Sequence, residues 1–148
     1  MKIFIDADGC PVVDIAVKIA KEYKLEIIIV KNYNHEILND YATIITVDQT
    51  PDSADYYIGN NAVEGDIVVT QDYGLAALAL SKGALCLNQN GLIISSENID
   101  SLLDQRYFNQ EMRRKHKKYT KFKKRTIEQD KKFEISLIEL IQKLIRDR

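Results

Sequence analysis

Histidine and cysteine are scarce in this chain, with two of each (His35 and His116, Cys10 and Cys86) among 148 residues, and tryptophan is absent. So few imidazoles exclude a histidine-rich metal centre, and neither histidine has a convincing nucleophile nearby for a Ser-His-Asp arrangement. The cysteines lie far apart without CxxC spacing, which argues against both a disulfide framework and a zinc site and fits a reducing cytoplasm. Long apolar runs are missing too. Only Ile3-Phe4-Ile5 precedes Asp6, and no later stretch approaches the ~18 apolar residues a membrane span needs. A soluble, unprocessed chain with no membrane partner is the expectation.

What is present is a strong polarisation of charge. The net charge is −1, yet residues 1–105 carry 16 acidic and 6 basic groups while residues 106–148 carry 6 acidic and 15 basic ones. The length suits one domain, so the division predicts an α/β domain over 1–105 and a basic helical extension over 106–148 that packs on it. Such asymmetry points to a polyanionic partner held by the basic part, with chemistry in the acidic part working through cations. Self-association is left open.

The apolar pattern alternates between strands and helices. Residues 2–6, 25–30, 42–47, 66–70 and 84–87 read as strands rich in Ile, Val and Leu. Between them, Val12, Ala16, Ile19, Ala20 and Tyr23 mark one helical face. Pro51-Asp52-Ser53 opens a second helix carrying Ala54, Tyr57, Ile58 and Ala62, and Asp72 opens a third that closes near Gly83. Phe133, Leu137, Leu140, Ile141 and Leu144 predict a final amphipathic helix. Alternating strands and helices predict a mostly parallel central sheet flanked by helices.

In such a sheet, ligands bind beyond the carboxyl ends of the strands. Asp6 and Asp8 follow the first strand, and as extended residues two apart their side chains would point the same way, about 6–7 Å apart along the backbone. Asp72 follows the strand ending at Thr70, and Asp55 lies on the helix before that strand. Carboxylates so grouped repel one another unless a proton or cation intervenes, so Asp6, Asp8, Asp55 and Asp72 are the candidate ligands of Mg²⁺ or Mn²⁺, hard ions that prefer oxygen. Asp6, Asp8 and Asp72 are the candidate catalytic carboxylates. The bland roles are helix capping for Asp72 and a solvated helix position for Asp55. Asp66 precedes its strand and reads as a turn residue. Cys10, beside two carboxylates that suppress its thiolate, reads as a packing residue.

Residues 113–125 hold nine Lys or Arg in thirteen, with Tyr119 and Phe122 interleaved. Cations contact phosphates whatever the base and aromatics stack on unpaired bases, so Arg113, Arg114, Lys117, Lys118, Lys121, Lys124 and Arg125 are the candidate RNA contacts. The bland reading is a solvated cationic surface or one docked on the acidic body.

Asp6-Ala7-Asp8-Gly9-Cys10-Pro11-Val12 and Gly65-Asp66-Ile67-Val68-Val69-Thr70-Gln71-Asp72-Tyr73-Gly74-Leu75-Ala76 resemble the two signatures of the uncharacterised bacterial YaiI/YqxD family. Ser53-Ala54-Asp55-Tyr56-Tyr57-Ile58 resembles its middle block, and Asp130 with Phe133 its C-terminal one. That family looks related to PIN-like and NYN-type nuclease domains. The resemblance implies a single PIN-like domain, carries Asp6, Asp8, Asp55 and Asp72 over as metal ligands, and implies metal-dependent RNA cleavage as an analogy of fold and site.

Two rival readings stand beside it. One is a non-catalytic RNA-binding or partner-binding module that keeps the fold. The other is a phosphatase, because Asp6-Ala7-Asp8-Gly9 also resembles the DxDG opening of haloacid-dehalogenase-like enzymes. There, Thr or Val follows the glycine and an acidic motif follows a later strand, where this chain has Cys10-Pro11 and places Gly65-Asp66 before a strand.

Overall fold

Consecutive Ile and Val residues, with no polar alternation, form strands that are covered on both faces. In the computed structural model, which describes residues 1–33, 36–50, 52–105 and 124–147, six strands form one sheet. They are Lys2–Asp6 (β1), Glu26–Asn32 (β2), Thr43–Val47 (β3), Ile67–Val69 (β4), Leu85–Leu87 (β5) and Ile93–Ile94 (β6), in the order β3-β2-β1-β4-β5-β6. The first five run parallel, and β6 returns antiparallel to β5.

The helices are Val13–Glu22 (α1), Ser53–Asn61 (α2), Tyr73–Ser81 (α3), a helical stretch over residues 99–105 (α4) and Ile127–Arg146 (α5). β1 divides its side chains between the two faces. Ile3 and Ile5 join α1 and α5 through Val12, Ala16, Phe133 and Leu137, whereas Phe4 joins α2 and α3 through Ile58, Leu75 and Ala79. This period-two split makes β1 the spine of both cores. The expected mostly parallel α/β sheet is therefore present; β6, only two residues long, falls below what apolar patterning registers.

Sheet order fixes where loops gather. β1 leads to β2 on one side and β3 crosses back to β4 on the other, so the loops after β1 and β4 diverge and leave a crevice at the carboxyl edge. The amino edge is closed differently. Asp66 is 2 % exposed there, its carboxylate accepting from the backbone N–H of Lys2 at 2.9 Å and of Val63 at 3.0 Å. It pins the start of β1 to the turn before β4, away from the crevice.

α5 is held by a capping box. The Thr126 N–H donates to the Gln129 side chain at 3.0 Å and the Gln129 N–H to the Thr126 hydroxyl at 3.3 Å. Just before it, the Arg125 guanidinium reaches Asp130 at 2.5 Å, Asn90 at 2.9 Å and the Gln89 carbonyl at 2.6 Å. Further along, Ser136 donates to the Gly91 carbonyl at 2.7 Å. The β5–β6 hairpin and α5 are thus laced together. Among the described residues, no helix is long and apolar enough to cross a membrane.

Gly91 has φ +83°, and a Cβ there would meet the Lys132 carbonyl oxygen at 2.6 Å. Gly91→Ala should consequently destabilise the protein by about 1–3 kcal/mol, since both the left-handed backbone and the close approach of α5 oppose a side chain. Chemical denaturation is the measurement; an unchanged midpoint would show that α5 can move away freely.

Candidate metal centre

β1 ends at Asp6, and the chain then leaves the sheet in a turn closed by the Cys10 N–H donating to the Ala7 carbonyl at 3.1 Å. Asp8 therefore sits in a turn rather than an extended segment, and the two-residue spacing no longer aligns it with Asp6. Asp6 is half-buried, Asp8 exposed. On the neighbouring strand, the Thr70 side chain, itself 2 % exposed, donates to the Asp6 carboxylate at 3.0 Å and accepts from the Asp72 N–H at 2.9 Å. One hydroxyl thus ties the end of β1 to the entrance of α3.

Asp72 caps α3, its Oδ1 accepting from the N–H groups of Gly74 at 2.9 Å and Leu75 at 3.2 Å. The capping role and a place in the crevice coexist. Asp55, in the first turn of α2, and Asp52 just before it complete a group. One carboxylate oxygen each from Asp52, Asp55 and Asp72 lies within 4.8 Å of the others, a spacing that could hold a metal ion. These residues, with Asp6, Asp8, Asn32, Asp48 and Thr50, line a cavity of about 250 Å³. Among the described residues lining it there is no Lys, Arg or His.

The electrostatic consequence is visible in two of the carboxyls. Asp6 is pushed up to about 6, chiefly by burial and with help from the charges of Asp8 and Asp72, against the lowering effect of the Thr70 hydrogen bond. Asp55 is pushed up to about 7, first by burial, then by a hydrogen bond with the Asp72 carboxyl and by the negative charges of Asp72, Asp6 and Asp52. A hydrogen bond between two carboxyls requires one proton, which is why the Asp72 contact favours the protonated form of Asp55. Asp48, fully exposed, is lowered instead, because Ser53 at 2.6 Å and the Thr50 hydroxyl and N–H donate to it.

The four candidate ligands named from sequence all line this cavity, but the tight triad replaces Asp6 and Asp8 with Asp52. Asp52 and Asp48 were missed as site residues. The signal was available: in a parallel sheet every strand's carboxyl end reaches the same rim, and Asp48 follows β3 directly. Cys10 is half-buried, with burial the main cause that raises its thiol pKa. Of the candidate RNA contacts, Arg113, Arg114, Lys117, Lys118 and Lys121 lie outside the described residues, as do both histidines. Lys124 is exposed, and Arg125 is engaged with the β5–β6 hairpin.

Both raised carboxyls make stability depend on pH. A group whose folded pKa exceeds its unfolded value contributes stability in full below the unfolded value and loses it as pH rises through the folded one. Without metal, the protein should become less stable between pH 4 and 8, and Asp55→Asn should raise the melting temperature at pH 8 while changing it little at pH 4. Thermal scans at the two pH values check this; equal effects at both would mean Asp55 carries no strain of charge.

Comparison with known proteins agrees with the sequence signatures. Residues 4–143 match the family described as uncharacterized BCR, YaiI/YqxD family. A UPF0178 protein of Alkaliphilus oremlandii is 56% identical over 145 residues, covering 98% of this chain and 94% of its own. Another, of Natranaerobius thermophilus, is 49% identical over 141 residues, covering 95% and 96%. Among solved structures, a crystal structure of Rae1 (YacP) from Bacillus subtilis aligns over 99% of both chains with 14% identity and a TM-score of 0.45. By its signatures, a family match over residues 4–143 and its relatives, the chain belongs to the YaiI/YqxD family.

Proposed function

We propose that the protein is a metal-dependent nuclease acting on RNA phosphodiesters, with Mg²⁺ or Mn²⁺ held among Asp6, Asp8, Asp55 and Asp72, to which Asp52 is added. The observation that carries this reading is the convergence of carboxylates from separate segments on one cavity, with Asp6 and Asp55 held far above ordinary carboxyl values by burial and by the negative charges around them. Oxygen-only donors with room for water suit a hard divalent ion. When bound, such an ion supplies charge against the phosphate and acidifies water.

The chain's own residues do the rest. Thr70 orients the Asp6 carboxylate; loss of the Asp55 proton frees its oxygens for the ion; Asp8, exposed and lining the cavity, can orient an incoming water. The cationic residues 113–124 supply phosphate contacts that the acidic cavity cannot, Arg125 being engaged with Asp130 and the β5–β6 hairpin, and the resemblance to PIN-like domains suggests RNA as the polyanion. A bacterial cytoplasm is the setting this implies.

Calorimetric titration of Mn²⁺ at pH 8 should reveal binding that weakens at least tenfold in Asp6→Asn and Asp72→Asn, the latter retaining an N-cap. Labelled RNA should be cleaved only with metal present, and its affinity should fall ~10³-fold between low and moderate salt if about half a dozen phosphates are contacted. Absence of Mn²⁺ binding, or binding indifferent to both substitutions, overturns the metal reading. Metal binding and RNA binding without cleavage would instead identify a non-catalytic module.

A further inference from the structure

Next to the carboxylate cavity lies a second hollow of about 330 Å³, lined by Asp52, Asp55, Tyr56, Gly59, Asn60 and Leu78. The two share Asp52 and Asp55 as a common wall. Tyr56, on α2, is 71 % exposed and Leu78, on α3, 45 % exposed. These are large apolar surfaces left to water, one of them aromatic. α2 and α3 approach closely here because residue 59 lacks a side chain: a Cβ on Gly59 would meet Leu78 Cδ2 at 2.6 Å. The floor of the hollow is therefore built by the helix pair rather than by a loop.

Its chemistry selects the occupant. The two carboxylates on the shared wall repel a phosphate and, engaged by the proposed ion on their other side, leave no charge for a second cation, so the group that enters is uncharged. An exposed aromatic ring with an aliphatic neighbour favours a flat, polarisable group. The Asn60 side-chain amide, which also lines the hollow, offers a donor and an acceptor of the kind that base edges pair with. Its position matters as much: whatever lies on Tyr56 is adjacent to whatever is bound at the carboxylates.

We infer that the Tyr56–Leu78 hollow is a nucleobase shelf, on which the base neighbouring the scissile phosphate of single-stranded RNA stacks. This rests on the proposed nuclease reading and adds to it a substrate class and a positioning residue. A base can reach the shelf only when it is splayed from its neighbours, which paired bases in a helix are not. The shelf selects unpaired segments whatever their sequence, since every base has a π-face.

The test measures binding, not turnover. A short fluorescein-labelled single-stranded RNA is titrated with the full-length protein and with Tyr56→Ala and Tyr56→Phe in Ca²⁺, which limits cleavage, while Mn²⁺ affinity is measured for each variant. Tyr56→Ala should weaken single-strand affinity about tenfold, Tyr56→Phe should restore it, and all three should bind Mn²⁺ alike. A 2-aminopurine placed beside the scissile position should be quenched by the wild type and by Tyr56→Phe, and not by Tyr56→Ala. If Mn²⁺ binds normally but Tyr56→Ala keeps full affinity and full quenching, or if duplex RNA binds as well as single strands through Tyr56, the shelf is refuted while the metal reading stands. Failure of Mn²⁺ to bind any of the proteins removes the metal reading itself, and the shelf as stated falls with it.

Discussion

Like charge crowded at the seam between β1 and β4 is the constraint to which the rest of the molecule answers. Left to themselves, Asp6, Asp55 and Asp72 would move apart or take up protons, and part of the second response is seen in the raised carboxyls of Asp6 and Asp55. The first is blocked by covalent continuity with the core. Asp6 extends a strand whose Ile3, Phe4 and Ile5 are fully buried, Asp72 is bonded into α3 by two backbone amides, and Asp55 stands one turn from buried Ile58. Apolar burial on both faces of the sheet supplies the stabilisation against which this repulsion is set.

Much of that arrangement was legible in the residues. Ile and Val runs marked the central strands, and the aspartates that terminate β1 and follow β4 could be placed on one edge because parallel strands end together. Asp55 needed the further knowledge that α2 begins at that edge, which depends on the path from β3. Asp48 could have been placed there too, since it follows β3 directly, whereas Asp52 escaped because it sits in a turn whose course no periodicity records. Asp8 was given the geometry of an extended strand when the chain had already turned. The pairing of Arg125 with Gln89 and Asn90, some thirty-five residues away in sequence, has no local signature; only the packing of α5 on the β5–β6 hairpin creates it.

Family membership spans nearly the whole chain, and the fold is of a type that hosts many chemistries, so function has to be argued from the site. Here the site is asymmetric. One side carries only acidic charge among the described residues and is suited to a cation, and the adjoining side presents Tyr56 and Leu78 between α2 and α3. The division of charge along the chain adds a third region, in which a net −10 body precedes a net +9 segment.

Asp72 does two jobs with one carboxyl group: Oδ1 receives the first amides of α3 while the group as a whole faces Asp55. Electron density drawn from that carboxyl by a proton or an ion is withdrawn from the amides it holds. The N–H groups of Gly74 and Leu75 accordingly act as built-in spectroscopic reporters, whose chemical shifts and solvent-exchange rates register the occupancy of the crevice from a helix that never enters it.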